Sequence, residues 1–184
     1  MTTYVTSDCH FGHKNIVKYE PVSRPFSSIE EMDEVLIERW NSKVKENDEI
    51  YILGDFSFHK VNKTVEILGR LSGKKCLIVG NHDSHLINHD SFKEMFVGYY
   101  DLLDNKIAGK HYAMCHYPLL SWNRSHYGSV NLFGHLHSSW KGNRQQLNVG
   151  MDCHNLYPIA FEEIDSLLAA LPERSSELHA EERL

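Results

Sequence analysis

The run Cys76-Leu77-Ile78-Val79, followed at once by Gly80-Asn81-His82-Asp83, constrains this chain more than any other stretch. Four apolar residues ending in β-branched Ile and Val have the length and character of a buried strand. A glycine and then three residues able to bind a metal or carry a proton turn the end of that strand into a reactive loop. The pattern recurs four times. Tyr4-Val5-Thr6-Ser7 leads to Asp8-Cys9-His10, and Ile50-Tyr51-Ile52-Leu53 leads to Gly54-Asp55. Tyr112-Ala113-Met114-Cys115 leads to His116, and Val130-Asn131-Leu132-Phe133 leads to Gly134-His135-Leu136-His137. Loops at strand ends are where rigid scaffolds present their chemistry, so the five loops read as one site.

Between these runs the periodicity changes. Ser28 and Glu31 stand at capping-box spacing, and Ile29, Met32, Leu36, Trp40 and Val44 follow at helical intervals, which predicts a helix with one face on a core. Val61, Val65, Leu68 and Leu71 mark a second helix, and a third is expected over 84–97. Strand, helix, strand, helix, strand implies parallel crossovers. After Gly98 the texture turns to short strands over 99–103, 106–108, 111–115, 130–133 and 147–149, with turns at Asp104-Asn105 and Gly109-Lys110. A final helix is expected over 161–171. This is an α/β fold in which two sheets form a sandwich with helices outside. A chain of 184 residues with 41% apolar residues suffices for one domain, read here as 1–171, with an acidic tail over 172–184 expected to fray.

Composition removes several function classes. No apolar run approaches the roughly 20 residues of a membrane span, and the first residues enter a strand with no signal-peptide pattern, so a cytoplasmic location and no membrane partner are expected. Of the formal charge of −6, −5 lies from Glu162 onward, leaving −1 for the first 161 residues. Without a basic field, long nucleic acid is not an expected partner. The cysteines Cys9, Cys76, Cys115 and Cys153 are widely spaced, as free thiols of a reducing compartment would be. Cys9 and Cys115 adjoin candidate ligands but read as packing residues.

The candidate ligands are Asp8, His10, Asp55, Asn81, His116, His135 and His137. Taken singly, Asp8 or Asp55 also suits a cap or turn, and His10 a surface position. Asp8 and His10, two apart, would share one face of extended backbone. Two carboxylates, an amide oxygen, four imidazoles and no thiolate suit manganese, iron, nickel or zinc rather than calcium. Seven donors exceed one tetrahedral ion and fit two ions sharing a carboxylate, a device for in-line displacement at phosphorus. His13, Asn15 and Arg24 lie near this site in sequence and either hold a substrate phosphate or are solvated loop residues. Trp122, Asn123 and Arg124 could border a pocket.

The series Asp8-x-His10, Gly54-Asp55, Gly80-Asn81-His82-Asp83, His116 and Gly134-His135-x-His137 resembles the calcineurin-like metallophosphoesterase family, over roughly residues 4 to 150. Asp8-Cys9-His10-Phe11-Gly12-His13 with Arg24-Pro25-Phe26 is similar to small bacterial and phage members. The resemblance implies a four-layer α/β/β/α sandwich of two mixed sheets flanked by helices, with the site at the C-terminal strand loops. It implies two divalent metal ions, manganese first among them, with Asp8, His10, Asp55 and His137 holding one. Asp55 would bridge, and Asn81, His116 and His135 would complete the other. His82 and Asp55 would be the catalytic residues, with His82 on the phosphate; Asn15 and Arg24 are read as further substrate contacts from their place in the sequence alone. The implied activity is hydrolysis of a small phosphodiester or nucleotide-type substrate by in-line attack of a metal-bridging hydroxide. The alternatives are a phosphomonoesterase of the same fold and a non-catalytic metal-binding scaffold. One departure stands out: many relatives carry an Asp three residues after the bridging Asp, where this chain has Phe58.

Overall fold

The β-rich runs pair as their composition predicts. In the computed structural model, which describes residues 1–174, Thr3–Thr6 forms β1 and Glu49–Ile52 forms β2. Lys74–Ile78 forms β3 and Gly98–Tyr100 forms β4. These four strands are parallel neighbours in that order, and the register aligns Thr6 with Ile52 and Ile52 with Leu77. In-register parallel strands release their following loops side by side, which is what a multi-loop site needs.

Two helices start where the sequence signals them, and a short one that it does not signal precedes them. A single turn, α1, spans Ile16–Tyr19. The long helix α2 spans Ile29–Lys43 and is capped by Ser28 Oγ, which accepts from the Glu31 N–H at 3.1 Å. The Glu31 carboxylate accepts from the Ser27 N–H and Oγ at 3.0 and 2.7 Å, so the box closes one residue earlier than expected. Helix α3 spans Val61–Arg70. Met32, Leu36 and Trp40 of α2 and Ile67 and Leu68 of α3 pack with Ile50, Ile52 and Leu77 into one core on the helix side of the first sheet.

The expected helix over 84–97 does not form as one piece. A 3-10 turn over Asp83–His85 and one helical turn, α4, over Asp90–Lys93 take its place. The fully buried anchors Leu86 and Phe92 lie six residues apart, which no single helix face repeats, and Asn88-His89-Asp90 between them are weak helix formers.

At Asp101 the chain passes to a second sheet. Leu102–Ile107 forms β5 and Lys110–Cys115 forms β6, closed by a two-residue turn at Ala108-Gly109 with φ of 49° and 88°. Asp104-Asn105 lie inside β5 rather than in the expected turn, because Ala108-Gly109 supplies the paired left-handed residues that a tight hairpin demands. Val130–Phe133 forms β7, Gly142–Asn143 β8 and Gln146–Asn148 β9, in the order β5-β6-β7-β9-β8. Strands β6, β7 and β9 are parallel, with Met114, Leu132 and Leu147 in register. Finally β10, Ile159–Ala160, pairs antiparallel with β1, and α5 spans Ile164–Ala169. The fold is a sandwich of two mixed sheets with helices, as expected.

The second core fills the space between the sheets. Val5, Ile78 and Ile159 meet Tyr112, Met114, Val130, Leu132 and Leu147 there, and α5 adds Ile164 and Leu168. Across β7 the alternate residue Asn131 faces the other way, where Leu119 N–H donates to Asn131 Oδ1 at 3.0 Å and Gln146 Nε2 to Leu119 O at 2.9 Å. That fastens the 117–129 loop over the outer face of the second sheet. Within it Trp122 is buried and donates to Ser129 O, and Asn123 bonds Asp104, so both hold the loop to itself and to the sheet. Pro172–Arg174 lie against the body, with Arg144 N–H donating to Pro172 O at 2.9 Å; the rest of the expected tail, 175–184, lies outside the described residues.

Candidate metal centre

The loops after β1 and β2 are laced together. Asp8 N–H donates to Gly54 O at 3.1 Å, His10 N–H to Asp55 O at 3.0 Å and Phe11 N–H to Phe56 O at 3.1 Å. Asp83 ties in the loop after β3, its buried carboxylate accepting from the N–H groups of Gly80, Asp55 and Phe56 at 2.8, 3.0 and 3.0 Å. Burial pushes the Asp83 carboxyl up, against three backbone donors that favour the charged form. A Cβ on Gly54, whose φ is +84°, would lie 2.5 Å from Gly80 Cα and 2.7 Å from His116 Nδ1. Only glycine lets three loops approach this closely.

Backbone conformation, not strand alternation, aims the ligands. Asp8 and His10 were expected on extended backbone, but their φ values are 55° and 53°. Nine non-glycine residues have positive φ among those described, and five of them are candidate ligands: Asp8, His10, Asp55, His135 and His137. Such residues cost on the order of 1–3 kcal/mol each and persist where surrounding structure over-determines them, typically at functional sites.

All seven candidate ligands converge. Asp8, His10 and His137 form one group and Asp55, His116 and His135 another, with the donor atoms of each group within 4.8 Å of one another. Asp55 Oδ2 stands between them, 3.7 Å from His10 Nε2 and 3.4 Å from His116 Nε2. Asn81 Oδ1 lies 3.0 Å from His116 Nε2. His82 leans over Asp55 with a 4.0 Å Nε2 to Oδ2 separation, its side chain 48% exposed. Its backbone N–H donates to Asp55 Oδ1 at 2.8 Å.

The donors fit divalent cations. His10 Nε2 is buried beside two carboxylates, 3.9 Å from Asp8 and 3.7 Å from Asp55, with no hydrogen-bond partner among the described residues, an arrangement that a cation would complete. The far nitrogens are already anchored: His116 Nδ1 on Leu53 O at 2.7 Å and His137 Nδ1 on Asp152 Oδ2 at 2.8 Å. Metal-binding imidazoles are held in this way, leaving Nε2 for the ion. Burial alone would raise the Asp55 carboxyl, but the hydrogen bond and charge of His116, the His82 N–H and the charge of His10 hold it at about 2. It is therefore an anion at neutral pH. Burial lowers His10 and, with His10 itself alongside, brings His13 down to about 4. Burial also disfavours charge on His116 and His137, yet the carboxylates of Asp55, Asp8 and Asp152 leave both raised.

One expected substrate contact lies elsewhere, and two further residues join the site. Arg24, expected at the phosphate, is fully buried. Its Nε donates to Asp152 Oδ1 at 2.7 Å, Nη1 to Cys9 O at 2.9 Å and Nη2 to Asp8 O at 2.6 Å. It braces the ligand loop from beneath, where the planar fork of a guanidinium can meet several acceptors at once. Asn15 is exposed at the start of α1 and makes no cap bond there. Asp152 was missed, although Gly150-Met151-Asp152 follows a strand just as the other site loops do. Arg24, His137 and Ser23 hold its carboxyl low against the penalty of burial. Tyr117 was also missed; its ring stands edge-on to His135 and His116 at 4.8 and 5.0 Å, with its hydroxyl 3.4 Å from Asn81 Oδ1.

Comparison with known proteins places the chain. No family model matches it. It is 34% identical over 179 residues to the uncharacterized protein MJ1445 of Methanocaldococcus jannaschii, covering 90% of each chain. It is 31% identical over 183 residues to the gene 66 protein of Mycobacterium phage L5, covering 82% of this chain and 86% of that protein. The chain belongs to the family of these two proteins. The crystal structure of AQ665 from Aquifex aeolicus, a protein of unknown function, superposes with a TM-score of 0.71 at 26% identity, over 90% of this chain and 98% of that one. The architecture described above is thus shared with that Aquifex protein.

Proposed function

We propose that this protein is a dinuclear-metal phosphoesterase that hydrolyses a small phosphodiester or nucleotide-type substrate. The observation that carries this reading is the pair of facing donor groups with Asp55 between them and His82 at the open side. Asp8, His10 and His137 would hold one cation and His116, His135 and Asn81 the other, with Asp55 shared; manganese suits this oxygen and nitrogen set. Two such ions lower the pKa of water and offset charge growing on phosphoryl oxygens. The protein's own contribution is placement. Asp55 is held anionic and fixed by the His82 backbone, so it can serve both ions at once. The exposed His82 imidazole can donate a proton to the departing alkoxide. Arg24 is consumed beneath the loops, which leaves phosphate binding to the cations, His82 and neutral groups. A singly charged diester suits such a site better than a doubly charged monoester.

The test is turnover by metal-stripped protein resupplied with manganese, nickel, zinc or magnesium, on a chromogenic diester and the matching monoester. Metal-dependent diester cleavage that disappears in Asp55→Asn is the expected result. His82→Ala should lose about 10²–10⁴-fold on a diester with a poor leaving group and less on one with a good leaving group. Silence from protein carrying two ions would favour the scaffold reading instead.

A further inference from the structure

Three of the four imidazoles in the donor groups have their Nδ1 anchored, and one anchor differs in kind. His116 Nδ1 meets a carbonyl oxygen and His137 Nδ1 a carboxylate; both acceptors force the ring proton onto Nδ1 and leave Nε2 with its lone pair. His10 Nδ1 instead meets His13 Nδ1, at 2.9 Å. A ring nitrogen can give or take, so geometry alone fixes neither tautomer. A cation on the opposite side of His10 would decide it. His10 Nε2 is buried, without a hydrogen-bond partner among the described residues, and faces Asp8 and Asp55; it can bind a cation only if it carries no proton.

We propose that His13 is a positioning residue for the first cation, accepting the His10 Nδ1 proton at its own Nδ1 and so committing His10 Nε2 to the metal. His13 is itself held by Phe58. The two rings stack at 3.9 Å between centroids and 11° between planes, and Phe58 also lies 5.0 Å from His10. Phe58 occupies the position where the resemblance described above leads one to expect an aspartate, and here it serves as the plate that sets the His13 ring. The chain thus supports its first site with an imidazole on an aromatic face, whereas the His137 anchor in the same group is a carboxylate bound to Arg24.

This inference rests on the dinuclear reading and is tested by binding, not turnover. Zinc affinity of the metal-free protein would be measured by competition with a chromophoric chelator, for wild type, His13→Ala, His13→Asn and Phe58→Leu. The expected result is two sites in wild type, with one weakened about 10–100-fold in His13→Ala, the usual cost of losing such a support. His13→Asn, which restores an oxygen acceptor, should recover most of that loss, and Phe58→Leu should lose an intermediate amount. In zinc-loaded, nitrogen-15-labelled protein, His13 should show an unprotonated Nδ1 and a protonated Nε2, a signature that a merely space-filling ring would not give. Two wild-type sites that His13→Ala leaves unchanged within twofold would overturn the role of His13 and leave the metal centre standing. A wild type that takes up no zinc would remove both.

Discussion

At the scale of single residues, the centre depends on groups that no ion or substrate touches. Arg24 and Asp152 form a fully buried pair that also braces the Asp8 and Cys9 carbonyls and anchors His137. Replacing Arg24 with methionine would keep the bulk and strand a buried carboxylate, so a loss of about 3–5 kcal/mol is expected, read as a lower urea midpoint. Glycines carry the complementary constraint. A Cβ on Gly134 would run into Ser7 Oγ and the Asp8 carboxylate, although its φ is unremarkable. Gly134→Ala should therefore fold and yet bind metal more weakly at the Asp8 group; equilibrium dialysis with zinc, set against a circular dichroism spectrum matching wild type, checks both halves.

At the scale of elements, the strands were legible and the short helices were not. Runs such as Ile50–Leu53 announce themselves by β-branched and aromatic content, and each ends in a residue with obvious chemistry, so seven candidate ligands could be named from pattern alone. Asp8 and His10 were named for a partly wrong reason: their spacing suggested extended backbone, whereas both are left-handed, a conformation set by the lacing to Gly54 and Asp55 across 46 or so intervening residues. Arg24 looked like a phosphate contact because sequence proximity to a site does not reveal which side of a loop a side chain takes. The 84–97 segment misled because its apolar count was right and its spacing was wrong. Asp48 shows an element tied by its ends. Its carboxylate accepts from Thr2 N–H at 2.7 Å and Lys45 N–H at 2.9 Å, and these bonds, the Thr2 one foremost, hold its pKa down. A lowered carboxyl stabilises the fold above the ordinary carboxylate pKa and ceases to do so as the pH falls through the lowered value. Asp48→Asn should thus be less stable than wild type at pH 7, and the gap between their urea midpoints should narrow as the pH falls below the ordinary carboxylate pKa.

At the scale of the whole molecule, the two donor groups join the two sheets. Asp8, Asp55 and Asn81 follow β1, β2 and β3 of the first sheet, while His116 and the His135–His137 loop follow β6 and β7 of the second. Cations held by both sets would clamp the sheets at one end of the sandwich, in addition to the apolar core between them. The same cations would offset the repulsion between Asp8 and Asp55 and the strain of five left-handed ligand residues. Binding to the folded state alone stabilises it by about 2.7 kcal/mol per ion at a hundredfold excess over Kd. For a chain of this size, where each kcal/mol moves Tm by about 2–4 °C, stripping two ions should lower Tm on the order of 10–20 °C. Differential scanning calorimetry with excess manganese and with chelator measures this directly. Asp55→Asn supplies the decisive control, because an amide in place of the shared carboxylate weakens the hold on both ions. Its Tm should depend far less on manganese than that of wild type. A wild-type Tm indifferent to manganese and chelator would mean that the sheets are joined by their core alone, and that the convergence of seven ligands at their ends does not clamp the fold.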